Sequence, residues 1–408
     1  YINQRNGTFR DELEQRMQHI SLASMGADMA DINNDGHPEI FTTDMLPDDD
    51  YRLKTTSSFD NIDQFRLREN SDFYYQYMQN TLQLNKGDGT FNDVAWYSGV
   101  AASDWSWGPL MFDADNDGLV DLFVCNGIYL DVTDQDFIDF FANEIIQRMV
   151  MTGKKEEVEE ILNKMPSHPI LNKAYRNIDG LKFQESAKEW GLVQTSFSNG
   201  AAYGDLDNDG DLDLIISNVN QPAFVYRNNC PPGKNHYLSI FLKGKGKNTF
   251  AIGSKIQLFS GDRTWCREVV PSRGFQSSVD YKTTIGLGST TTIDSMIIYW
   301  PDRSVSRIKN PAVDSLYTIE QPGNAEEYLP TPAEITPLFA AIAHNFEKHR
   351  ENNHIDFYYE RNIPFMLSRE GPAAAVADVN GDGLEDVYIG GAAGQPGQLY
   401  IQTEKGFV

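Results

Sequence analysis

The stretch DLDNDGDLDLIISNV, residues Asp205–Val219, decides the fold. Acids stand at its first, third, fifth and ninth positions (Asp205, Asp207, Asp209, Asp213), Gly210 at the sixth turns the backbone, and Asp211 at the seventh can offer its backbone carbonyl. Oxygen ligands at that spacing wrap a hard cation. The pattern is written three more times. DINNDGHPE supplies Asp31, Asn33, Asp35, His37 (backbone) and Glu39; DADNDGLVD supplies Asp113, Asp115, Asp117, Leu119 (backbone) and Asp121; DVNGDGLED supplies Asp378, Asn380, Asp382, Leu384 (backbone) and Asp386. Up to four calcium ions are expected, one per loop.

An EF-hand would place a bidentate glutamate at position twelve, within a second helix. Here position twelve is Thr42, Val124, Ile216 or Ile389. Each loop instead enters an apolar run (EIFTTD, DLFVCNG, DLIISNV, DVYIGG) and follows a short glycine-punctuated one (MGADMADI, GPLMFDA, GAAYGDL, AAAVADV). Strand, loop, antiparallel strand is the expected arrangement. An Asp-Gly hairpin that binds nothing needs only two turn residues. It does not require a further acid three residues past the glycine, four times over.

The formal net charge is −25 over 408 residues. Fourteen of the 59 carboxylates stand at ligand positions, and four doubly charged ions would leave about −17. Nucleic acid is excluded as a partner, because it needs a basic footprint. The lysines of LKGKGKN (Lys243, Lys245, Lys247) read as a solvated hairpin tip. No segment approaches the roughly twenty apolar residues of a membrane helix. Three cysteines make no disulfide framework. Cys125 reads as a small core residue, and Cys230 with Cys266 as a conceivable pair.

A second element recurs upstream of the loops: YINQRNGTFRDE from Tyr1, LQLNKGDGTFNDV from Leu82, AYRNIDGLKFQES from Ala174 and LYIQTEKGFV from Leu399. Each reads as two strands about a polar turn. With a calcium hairpin it makes four strands, the content of one propeller blade. Insertions at 44–80 and 131–173 interrupt the units. The first is rich in charge and tyrosine. The second reads as two helices, the first capped by Thr133 with Asp136 three residues on and carrying Phe137, Phe140, Phe141, Ile145 and Met149 on one face, the second running through KKEEVEEILNKM. From 230 to 321 the repeat gives way to a different β unit with alternating strands such as HYLSIFLKG and GSKIQLFSG, typical of a small sandwich. The Pro-rich QPGNAEEYLPTPAEITP, from Gln321, opens residues 322–370, which read as a linker and entry segment. Repetition resumes over 371–408.

The repeats resemble FG-GAP or VCBS propeller repeats, and AIGSKIQLFSG, REVVPSRGFQSS, TTIGLG and IIYWPD resemble the ASPIC/UnbV domain. Together they are similar to the cartilage-acidic-protein-like family in its Bacteroidota form. The resemblance implies an all-β chain of propeller blades with calcium-binding hairpin loops, a β-sandwich-like domain and a helical insertion. Residues 1–229 would be blades, 371–408 the start of a further propeller region, and about four blades would precede Tyr1. The family's turn carries a glycine near Arg303, so WPDRSVSRI departs from it.

Three functions compete. A non-catalytic, extracytoplasmic calcium-binding scaffold would bind a protein or glycan at the cell surface. A glycan-active hydrolase or lyase on the same scaffold is the second, although HExxH, GxSxG and P-loop patterns are absent from the sequence. The third is an accessory subunit of an outer-membrane nutrient-uptake complex. All three put the chain outside the cytoplasm, at the cell surface or outer membrane, secreted or periplasmic.

Overall fold

The computed structural model describes residues 1–56, 61–153, 162–231, 233–323, 328, 341–342, 344–360, 363 and 366–408. They are mostly strands, with few helices. Residues 1–60 with 65–331 form one compact unit, and 61–64 with 332–408 another.

In the larger unit, three antiparallel sheets follow one another. The first joins Ala27–Ala30, Glu39–Thr42, Thr81–Asn85 and Phe91–Asp93. The second joins Ser106–Phe112, Asp121–Asn126, Lys173–Asn177 and Phe183–Glu185. The third has Ser198–Gly204, Asp213–Asn218 and Phe224–Tyr226. In each, an acidic loop closes the first hairpin. In the first two sheets the second element then adds strands three and four to the sheet of the loop before it, so the blade-like sheet is offset by half a repeat from the unit read in the sequence. Both insertions consequently fall between strands two and three.

Alternate residues from facing sheets make the cores. Phe41, Leu82, Met111, Leu122 and Val124 bury one another between the first and second sheets. Leu110, Phe123, Cys125, Leu214 and Ile216 do so between the second and third. The first strands stand side by side: Met111 of the second sheet donates its N–H to Asp28 Oδ2 of the first (2.7 Å).

From His236 the chain builds a two-layer sandwich. Thr283–Gly288, His236–Lys243 and Ser315–Glu320 form one sheet, the last pair parallel. Arg263–Glu268, Lys255–Ser260, Ser295–Tyr299 and Val305–Lys309 form the other. Leu238, Ile240, Ile256, Leu258, Ile285, Met296 and Ile298 fill the space between them. At the turn that departs from the resembled family, Arg303 takes φ +69°, the left-handed conformation that glycine adopts without cost. Lys243, Lys245 and Lys247 are exposed, as read, but not at a hairpin tip: His236–Lys243 and Lys255–Ser260 belong to different sheets, so the segment between them crosses from one layer of the sandwich to the other.

Some expectations change. All three cysteines are free, so Cys230 and Cys266 are not bridged. The helical insertion is capped by Asp134, whose Oδ1 accepts the Phe137 N–H (2.7 Å), while the Thr133 hydroxyl bonds Asp131 (2.7 Å). Its first turns, Phe137–Ala142, are π-helical before the α-helix Asn143–Thr152. The wider π turn rotates the expected face apart: Phe137 and Ile145 are buried, but Phe140 is 71% and Phe141 42% exposed. The expected second helix spans 154–165, of which 154–161 lie outside the described residues, as does most of the Pro-rich stretch that opens the expected linker. No helix among the described residues is long and apolar enough to cross a membrane.

In the smaller unit, Ala374–Ala377, Asp386–Ile389 and Gln398–Tyr400 form a sheet built like the third. Its ninth-position acid pairs opposite Ala377, as Glu39 pairs with Ala30, Asp121 with Phe112 and Asp213 with Gly204. All four loops therefore span the same register.

Candidate metal centres

Two positive-φ residues bend each loop. Glycine provides the sixth (Gly36 +87°, Gly118 +97°, Gly210 +95°, Gly383 +84°), and Asn34 (+58°), Asn116 (+56°), Asn208 (+61°) or Gly381 (+78°) provides the fourth. Asparagine and glycine are the residues that enter this region most readily. The fourth position was a legible signal, since three loops carry asparagine there.

This bend aims backbone N–H groups at the first-position carboxylate. Asp31 accepts from Asp35 (3.1 Å) and Gly36 (2.8 Å), Asp113 from Asp117 (3.1 Å) and Gly118 (2.9 Å), and Asp378 from Asp382 (3.2 Å) and Gly383 (2.9 Å). Asp205 accepts from Asp209 (3.1 Å), and its other oxygen meets the Lys282 ammonium (3.0 Å). The fifth-position carboxylate accepts the N–H of the seventh residue, His37, Leu119, Asp211 or Leu384.

The ninth acid is a structural tie as well as an expected ligand. One oxygen accepts the N–H of loop position two: Ile32 to Glu39 (2.9 Å), Ala114 to Asp121 (2.9 Å), Leu206 to Asp213 (2.9 Å) and Val379 to Asp386 (3.0 Å). The other accepts from the third strand or the residues just past it, through Asn85 (3.4 Å), Asn177 (2.8 Å), Asn228 (2.8 Å) or Gln402 (2.8 Å). Thus the acid three residues past the glycine fastens the loop to the sheet.

In two loops, carboxylate oxygens converge within 4.8 Å: Asp113 with Asp115 and Asp117, and Asp205 with Asp207 and Asp209. Asp121 and Asp213 lie outside those clusters. In the first and fourth loops the third position is an amide that bonds the fifth carboxylate, Asn33 to Asp35 (3.0 Å) and Asn380 to Asp382 (2.9 Å). Burial, with the charges of Asp117 and Asp115 adding to it, pushes the Asp113 carboxyl up to about 8, and burial lifts Asp121 well above the usual range. Burial likewise takes Glu39 to about 7. Asp211 is also raised to about 7 by burial and its neighbour Asp209, and its Oδ1 is buried with no hydrogen-bond partner among the described residues. Crowded, partly desolvated carboxylates with an unspent buried oxygen fit a hard divalent cation that prefers oxygen ligands.

The sandwich sits on the first three loops. Lys255 Nζ bonds the Gly36 carbonyl (2.8 Å), Arg267 bonds Asn34 Oδ1 (3.3 Å), the Gly288 N–H bonds the Asn116 carbonyl (2.9 Å) and Lys282 pairs with Asp205. A Cβ on Gly286 would lie 2.1 Å from Asp113 Oδ2, so the backbone there presses directly on the second loop. Arg176, from the second sheet, pairs with Asp115. A hairpin of the sandwich, Ser272–Arg273 paired with Ser277–Ser278, runs along the first strands. Arg273 bonds Asp28 (2.9 Å) and the Met29 carbonyl (2.6 Å), and Phe275 packs on Trp107 (centroids 5.0 Å). Sequence reasoning missed this seat, because its cations come singly from separate strands.

Residues 244–326 match the family model described as ASPIC and UnbV, and residues 70–124 match that of an FG-GAP-like repeat. The latter match starts before strand three of the first sheet and ends in strand two of the second, the same half-repeat offset seen in the fold. The chain is 26% identical over 328 residues to human cartilage acidic protein 1, covering 72% of this chain and 47% of that protein. It is 24% identical over 320 residues to the Xenopus tropicalis protein of that name, covering 72% and 48%. The chain spans about half the length of these relatives. It therefore carries an FG-GAP-like repeat and an ASPIC/UnbV region, features of repeat proteins with no catalytic family among them.

Proposed function

We propose that this chain is part of a calcium-stiffened, non-catalytic β-propeller scaffold that works outside the cytoplasm and presents a binding surface to a protein or glycan at the cell surface. The observation that carries the reading is the recurrence of one loop in one register, its first-position carboxylate caged by backbone N–H groups and, in two loops, joined by two further carboxylates. Asp113, Asp115, Asp117 and the Leu119 carbonyl would hold the second cation, and Asp205, Asp207, Asp209 and the Asp211 carbonyl the third. The first and fourth would use Asp31, Asn33, Asp35 and His37, and Asp378, Asn380, Asp382 and Leu384. Bound calcium would neutralise the converging carboxylates and pin the hairpin that the ninth acid already ties to its sheet.

The acidic surface and the strands on both sides of every loop support a clasp, since no second helix is present to be opened by the ion. Titration calorimetry of the metal-stripped chain tests the reading. Calcium should bind with dissociation constants at or below about 10⁻³ M, and Asp117→Asn with Asp209→Asn should remove part of the heat. Absence of calcium-dependent heat would refute it.

A further inference from the structure

We infer that the outer end of the first sheet carries a binding site for a neutral sugar, built on Trp96 and Tyr97. The two follow strand four, in FNDVAWYSGV. The second sheet has the same turn in FQESAKEWGL. Val94 N–H bonds the Leu82 carbonyl as Ser186 N–H bonds that of Ala174. Val100 bonds Ala95 as Leu192 bonds Ala187, and Ala95 and Ala187 are both buried. At the positions of Trp96 and Tyr97 the second sheet holds Lys188 and Glu189, both exposed. The turn therefore needs no aromatic side chain there, yet Trp96 is 66% and Tyr97 59% exposed.

Around them lies an open basin of about 500 Å³ bounded also by His19, Tyr77, Gln79 and Asp93. The indole is held in place: Trp96 Nε1 donates to Gln79 Oε1 (2.6 Å), whose amide donates to Asp93 Oδ2 (2.8 Å). His19 Nε2 bonds the same oxygen (2.8 Å), and its ring stands edge-on to Tyr77 (centroids 5.2 Å). A rigid, exposed aromatic plate beside polar groups suits a ligand with one apolar face and a hydroxylated edge.

Charge narrows the class. Asp93 accepts four N–H bonds, from His19, Gln79, Leu82 (2.9 Å) and Ala95 (3.0 Å), which leaves it little to offer a cation. Lys182 lies 3.4 Å over the Tyr97 ring and bonds the Tyr97 carbonyl, so it is spent too. The Tyr77 and Tyr97 hydroxyls bond no described residue. A hexopyranose unit of a neutral glycan can stack its C–H face on the indole and meet those hydroxyls with its own.

This inference rests on the binding role proposed above and names its ligand. Affinity gel electrophoresis of the full chain with soluble β-1,3-glucan, β-1,4-glucan and mannan tests it, with melting curves in calcium and in chelator reading the scaffold separately. At least one glycan should retard the chain. Trp96→Lys with Tyr97→Glu, the residues of the second sheet, should weaken retardation at least tenfold with the melting midpoint unchanged, and Trp96→Ala alone should weaken it too. Lack of retardation by all three glycans, equal retardation of the double variant, or displacement by tetramethylammonium in place of free sugar would overturn it.

Discussion

The second loop, Asp113–Asp121, and the fourth, Asp378–Asp386, share a register and a hydrogen-bond plan but differ in electrostatic state. Asp113 is 3% exposed beneath Gly286, and burial pushes its carboxyl up to about 8. Asp378 is exposed, and the N–H groups of Gly383, Gly381 and Asp382 hold its carboxyl below the ordinary range. Loop geometry is thus local, coded by nine residues. Charge state is tertiary, set by what covers the loop. Where the sandwich lies on a loop, an acid must find a cation or a proton.

Removing the cover should separate the two most. Arg273 and Asp28 form an ion pair in which the side chains are 10% and 3% exposed, and burial raises the Asp28 carboxyl despite that partner. Arg273→Met leaves the carboxylate unpaired and should cost about 3–5 kcal/mol in urea unfolding of the larger unit. A loss under about 1 kcal/mol would show that the hairpin does not anchor the sandwich. Next in size is Gly286→Ala, whose Cβ would also lie 2.6 Å from the Asn116 Cα. Overpacking of this kind should cost about 1–3 kcal/mol. The contrasting Gly381→Asn in the fourth loop, where nothing lies within 4 Å, should change unfolding by less than about 1 kcal/mol.

The same difference predicts opposite pH responses in metal-stripped protein. For Asp113, the folded carboxyl binds its proton more tightly than the ordinary unfolded one near about 3.9, so its stabilisation is full below about pH 4 and is lost as pH rises through about 8. Asp378 is lowered, so its stabilisation is present above the ordinary value and is lost as pH falls through the depressed one. Carboxyl NMR titration should resolve two such groups moving in opposite directions from the ordinary value, and a common midpoint would remove the distinction. A smaller effect is expected at Arg303, whose φ of +69° suits glycine: Arg303→Gly should stabilise the sandwich by at most about 1 kcal/mol in thermal melts.

The loops were legible because their chemistry is periodic. Gly210 and Asp213 stand in a fixed relation repeated in Gly36 with Glu39, Gly118 with Asp121 and Gly383 with Asp386, and apolar strands on either side leave one register. Pairing between units was not. LQLNKGDGTFNDV sits between two loops, and an antiparallel strand fits either neighbour until Ile40 is seen opposite Gln83. Nor does a lone Lys255, Arg267 or Lys282 announce that it will meet a loop. The helical insertion misled through an assumed 3.6-residue turn, which the π-helical Phe137–Ala142 does not keep.

The central claim is that cations clasp these hairpins, and calorimetric melting in saturating calcium against excess chelator tests it most directly. A site filled to a hundredfold over its dissociation constant adds about 2.7 kcal/mol, so calcium should raise the midpoint by at least about 5 °C, and Asp113→Asn with Asp117→Asn should shrink that rise. Identical midpoints with and without calcium would contradict the account.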